Sequence, residues 1–157
     1  MTIQAKVWNI RDAGKPADAL YIGRAGKGRS GMWGNPFPID RPLSWETVAK
    51  IEERLPYLHE LGYSYEGARL TREQSLQLYA EYLTWAVRNE RLDVRELVDG
   101  TGEGFITKDM VCFCSPKPCH GHILLKFADA YAYYRNEAYE HERALDAALY
   151  IHRGMVA

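Results

Sequence analysis

The segment Met110-Val111-Cys112-Phe113-Cys114-Ser115-Pro116-Lys117-Pro118-Cys119-His120-Gly121 constrains this chain more than any other. Its first five residues form an apolar run of strand length, and the two prolines that follow cannot donate to a sheet ladder and bar its continuation. Apolar residues then resume at Ile123, Leu124 and Phe127, now with helical spacing. A buried strand leading through a tight turn into a helix is the building step of an α/β fold. Alternation along the strand predicts that Cys112 and Cys114 point to one face, and the turn delivers Cys119 and His120 to the first turn of the helix.

The rest of the chain supports this architecture. Val7, Trp8 and Ile10 make one β-prone run and Leu20-Tyr21-Ile22 a second, which stops at Gly23; Gly14-Lys15-Pro16 supplies a turn between them. Ser44 caps a helix carrying Val48, Ile51 and Leu55 on one face, ended by Pro56. Thr71 and Gln74 make a capping box, and Leu76, Tyr79, Ala80, Leu83, Ala86 and Val87 repeat on one face behind it. Leu92 to Val98 predicts a short helical turn, and Asp99, Gly100, Gly102 and Gly104 read as a loop. Beyond Gly121 the helical rhythm runs to Leu145 and Leu149, with a break near Asn136. The expectation is a small three-layer, Rossmann-like α/β sheet with flanking helices. A compact domain covers 1–130, and a C-terminal helical extension over 131–157 packs on that domain or forms a homodimer contact. In such folds ligands lie beyond the C-terminal ends of parallel strands, so the loops leaving the second and last strands share one edge.

Charge directs attention to the first of those loops. Lys+Arg is 20 and Asp+Glu 21, a net charge of −1, so no global positive field draws the chain onto nucleic acid or anionic lipid, and an anion site must be local. Residues 23–37 contain no acidic residue and combine Gly23, Arg24, Gly26, Lys27, Gly28, Arg29, Gly31 and Gly34. Glycines let backbone amides encircle an anion, and Arg offers a planar fork to phosphate oxygens. The spacing is neither a P-loop nor the dinucleotide fingerprint. On this reading Gly23, Arg24, Lys27 and Arg29 hold the phosphate of a small molecule or nucleic-acid component; the alternative is a solvated loop. Trp33 stacks on a base or anchors the loop in the core, and Asn35 bonds ligand or orders its loop.

The second loop carries soft ligands. Three cysteines within eight positions do not make a disulfide framework. Residues 1–10 lack the zones of a secretory signal, and no apolar run reaches the roughly 20 residues needed to cross a bilayer. A reduced, cytoplasmic protein is expected, with no membrane partner. Cys112, Cys114, Cys119 and His120 form a candidate zinc set, with His122 a spare donor. Cys119 is equally a candidate nucleophile, its thiolate favoured at a helix N-terminus and by a nearby His⁺, with His120 as base. The third reading makes the cysteines small core residues and His120 a helix cap.

Taken in order, Tyr21-Ile22-Gly23-Arg24, Trp33-Gly34-Asn35-Pro36-Phe37, Thr71-Arg72-Glu73-Gln74, Lys108-Asp109 and the Cys112 to Gly121 segment resemble domain-of-unknown-function family 4326, found in bacteria and bacteriophages. The resemblance runs from about residue 3 to residue 130 and implies a compact α/β domain without an assigned activity. The family commonly carries Asp after the His-Gly pair, where this chain has His122, and 40–69, 99–105 and the tail beyond Ala130 look like insertions. Two functions stay open. One is a nucleotide- or phosphate-binding domain or enzyme, acting through Cys119 and His120 or through zinc-polarised water. The other is a non-catalytic, zinc-closed module that grips protein or nucleic acid.

Overall fold

The structure is a computed structural model that describes residues 4–24, 31–54, 69–101, 104–114, 117 and 119–154. Along the chain come β1 (Val7–Asn9), β2 (Leu20–Tyr21), α1 (Trp45–Arg54), α2 (Arg72–Arg88), β3 (Val98–Thr101), β4 (Gly104–Thr107), β5 (Met110–Cys112), α3 (His120–Asn136) and α4 (His141–Gly154). The class is α/β. β5 lies between β1 and β2 and is parallel to both: Met110 pairs with Val7 and Leu20, and Val111 with Trp8 and Tyr21. The apolar run takes the centre because all three of its strand residues are buried.

That strand is two residues shorter than the apolar run predicts. Its neighbours end at Asn9 and Tyr21, so among the described residues no ladder partner continues beyond Cys112; the Ile10 amide donates to the Cys112 carbonyl at 2.8 Å, and Asn9 Nδ2 donates to the Phe113 carbonyl at 3.2 Å. Phe113 turns outward and is 55% exposed. Cys114 has therefore left the strand, and alternation no longer ties it to the face of Cys112.

The glycine-containing stretch after Val98 is not a loop on both sides but an antiparallel hairpin, β3 against β4, with Val98 opposite Thr107. Low local β-propensity is overridden here by tertiary bonds. The Asn136 side chain accepts from the Phe105 amide at 2.7 Å and donates to the Phe105 carbonyl at 3.0 Å, and Thr107 donates to Asp129. The expected helical turn before it is a 3-10 turn, Val94–Leu97.

α2 opens with the predicted capping box, Gln74 N–H to Thr71 Oγ1 at 3.1 Å and Thr71 N–H to Gln74 Oε1 at 3.0 Å. α3 packs on β1 and β5 as well as on β4. Its first turn sits so close to the sheet that a Cβ on Gly121 would lie 2.7 Å from Ile22 Cδ1 and 2.9 Å from Val7 Cγ2. α3 runs through residue 130 without a break, and α4 folds back against α3 and α2 with Ala144, Ala148 and Leu149 buried. No helix among the described residues is long and apolar enough to cross a membrane.

Candidate functional site

A cavity of about 850 Å³ opens beyond the C-terminal ends of β2 and β5. The loop after β2 gives it Gly23 and Arg24, and the segment after β5 gives Phe113, Cys114, Cys119 and His120. The two sequence-predicted loops thus meet at one sheet edge, as parallel topology requires. Buried Cys112 and Cys119 and exposed Phe113 all line the cavity, so it runs from the core to the surface. Tyr21 and Phe113 pack edge to face at 6.4 Å on its wall. The opposite side is closed by Asn35, Ile39, Asp40, Arg41 and the start of α2 through Thr71, Arg72 and Leu76.

Among the described residues, three arginines, Arg24, Arg41 and Arg72, and one carboxylate residue, Asp40, line this space. The N-terminal ends of α2 and α3 also border it, and their partial positive charge adds to the same sign. Lys27 and Arg29, with Gly26 and Gly28, lie outside the described residues. Arg41 and Arg72 were not legible as site residues, because spacing links neither to the glycine-rich loop. The nearest signal is that Arg72 is the first residue of a helix opened by a capping box.

His120 is the best-defined polar group in the cavity. Its Nε2 lies 2.5 Å from the Ile22 carbonyl oxygen, which can only accept, so Nε2 carries the proton. Burial pulls its pKa down to about 4, against an opposing pull from the Ile22 bond, and the ring is neutral at pH 7. The lone pair therefore resides on Nδ1 of a side chain that lines the cavity. The Tyr79 ring packs on the imidazole at 4.9 Å and fixes its plane.

The cysteines divide. Cys112 Sγ and Cys119 Sγ are 3.5 Å apart and both are buried. The Cys112 hydrogen bond, followed by burial, raises the Cys119 pKa well above the ordinary thiol range. The helix start does act on the sulfur, the Gly121 amide pulling its pKa down, but the Cys112 bond and burial pull the other way and are larger. Cys114 is half-buried and lines the cavity. Among the described residues no three His, Cys, Asp or Glu side chains converge as a metal set. His122 accepts the Cys119 amide at Nδ1, 3.2 Å away, and so closes the helix start.

The 33–37 segment builds the wall. Trp33 is 3% exposed, and its indole N–H donates to Glu96 at 3.1 Å, so core anchoring, not base stacking, is its place. Tyr79 donates to the Trp33 carbonyl at 2.8 Å. Asn35 Nδ2 donates to Ser75 Oγ at 2.9 Å, its Oδ1 accepts the Phe37 amide at 2.9 Å, and Ser75 Oγ donates to the Phe37 carbonyl at 2.8 Å. Asn35 orders its loop while also lining the cavity.

Residues 6–130 match the family model described as a domain of unknown function (DUF4326), and the chain belongs to that family. Neither the curated proteins nor the solved structures yielded a match.

Proposed function

We propose that this member of the family binds a phosphorylated nucleotide, or a nucleic-acid component of that kind, in the cavity beyond β2 and β5. The observation that carries this is the convergence of Arg24, Arg41 and Arg72 with two helix N-terminal ends on a mostly apolar space where, among the described residues, Asp40 is the one carboxylate. Phosphate oxygens match guanidinium forks, and the Tyr21–Phe113 pair offers an aromatic face to a base. A Cβ at Gly23 would lie 2.3 Å from the Tyr21 hydroxyl, so glycine there lets the Tyr21 ring pack on the cavity wall, and Lys27 and Arg29 are further candidate phosphate ligands in the same sequence segment. His120 presents Nδ1 as an acceptor for a ligand O–H or N–H; with a pKa of about 4 it serves recognition better than proton abstraction at neutral pH. A reduced cytoplasmic setting, where nucleotides abound and thiols persist, fits this use.

Titration calorimetry with the four ribonucleoside 5′-monophosphates and their nucleosides tests it. At least one monophosphate binds, and Arg24→Ala or Arg72→Ala weakens it about tenfold or more, since a hydrogen bond to a charged group is worth roughly 1.5–3 kcal/mol. The nucleoside loses far less. Equal loss for both forms, or no binding of any monophosphate, overturns the assignment.

A further inference from the structure

A second cavity of about 610 Å³ adjoins the first and shares Arg24, Asn35 and Arg41 with it. Its own lining includes Met32, Pro36, Pro38, Pro42, Thr47 and Tyr82. Each lobe falls in the size range of small-molecule sites, roughly 300–1,000 Å³; the larger is mostly apolar, and the smaller mixes polar groups with an apolar part made by Met32, Tyr82 and the prolines, against which a ring can lie. Their common boundary is cationic at Arg24 and Arg41 and rigid at Asn35, whose amide is held at both ends by Ser75 and Phe37.

Resting on the nucleotide reading above, we infer that the two lobes together accept a ligand with two ring-bearing halves joined by a pyrophosphate bridge. One half occupies the larger lobe beside Tyr21 and Phe113, the other lies against Met32 and Tyr82, and the bridge sits at Arg24 and Arg41. Two guanidinium groups at the junction match the two negative charges of a pyrophosphate better than the single charge of a phosphodiester. A mononucleotide fills one lobe and leaves the other to water.

The full chain is titrated with each ribonucleoside 5′-monophosphate, the corresponding P1,P2-dinucleoside 5′-diphosphate, and the 3′,5′-linked dinucleoside monophosphate. The diphosphate binds at least tenfold more tightly than the monophosphate, and the phosphodiester does not share that gain. Thr47→Tyr fills the smaller lobe and erases the gain without changing monophosphate affinity; Met32→Ala, at a half-exposed position, reduces the gain severalfold and guards against a folding defect in the first variant. Equal affinity for mono- and diphosphate overturns the two-lobe inference while nucleotide binding stands. Equal affinity for the phosphodiester and the diphosphate overturns the pyrophosphate assignment. Failure of every phosphorylated probe overturns both this inference and the reading beneath it.

Discussion

The 33–37 segment and the 112–120 segment border the same cavity, but they spend their polar groups differently. Trp33 and Asn35 use their side-chain donors and acceptors on Glu96, Ser75 and Phe37, and Gly34 is pressed so close that a Cβ would lie 2.7 Å from the Gly23 carbonyl. In the 112–120 segment the two buried thiols lie against each other, His120 bonds the Ile22 carbonyl through Nε2, and Phe113 leaves more than half of its surface exposed. Motifs of equal prominence thus do different work. One holds the wall in place, and the other presents groups to whatever enters.

The largest expected effect breaks that comparison at the wall. Trp33→Ala removes a buried indole and leaves the Glu96 carboxylate without its donor, at a cost of about 3–5 kcal/mol by urea denaturation. Phe113→Ala, at an exposed ring, costs less than about 0.5 kcal/mol yet weakens nucleotide binding. If Trp33→Ala lost under about 1 kcal/mol, or Phe113→Ala destabilised as strongly as it, the division between wall and presenting face would be wrong.

The next effect concerns His120 and pH. The neutral ring is preferred in the folded state, with a pKa of about 4 against 6.5 for a free imidazole, so the unfolded chain binds more protons between those values. The stability tied to His120 is complete above pH 6.5 and falls as pH drops toward 4, by ~3 kcal/mol in all. His120→Gln keeps an N–H donor for the Ile22 carbonyl but cannot titrate. The difference between wild-type and variant stability, followed across pH 4 to 7, therefore isolates the histidine from the carboxylates. A pH-independent difference would show an imidazole that is solvated rather than buried.

The helices were legible because their cues are local: the Thr71–Gln74 box and the spacing through Leu83 and Val87 need no knowledge of the rest of the chain. The meeting of the loops after β2 and β5 was legible from parallel topology alone. What escaped depends on partners distant in sequence. The β3–β4 hairpin is held by Asn136 and Asp129 from α3, and β5 ends where its neighbours end, not where its apolar run does. The state of Cys119 likewise turns on a sulfur seven positions away and on the burial of both, neither of which spacing reveals.

The smallest effect sharpens the comparison within the cysteines themselves. Cys112 and Cys114 are two residues apart, and continued alternation would give them matching environments. Because the strand ends at Cys112, one is 1% exposed beside Cys119 and the other half-buried on the cavity. Cys112→Ser places a hydroxyl in a packed apolar site and costs about 1–2 kcal/mol, whereas Cys114→Ser stays within about 0.5 kcal/mol of wild type. A thiol-specific reagent applied to the folded protein reports the same asymmetry chemically. Cys114 reacts first, and Cys112 and Cys119 are protected until the chain unfolds, because both are buried and the Cys112 bond with burial holds Cys119 as the thiol. Matching costs for the two serine variants, together with matching reaction rates, would mean that the strand continues through Cys114 and that the cavity wall after β5 is built differently.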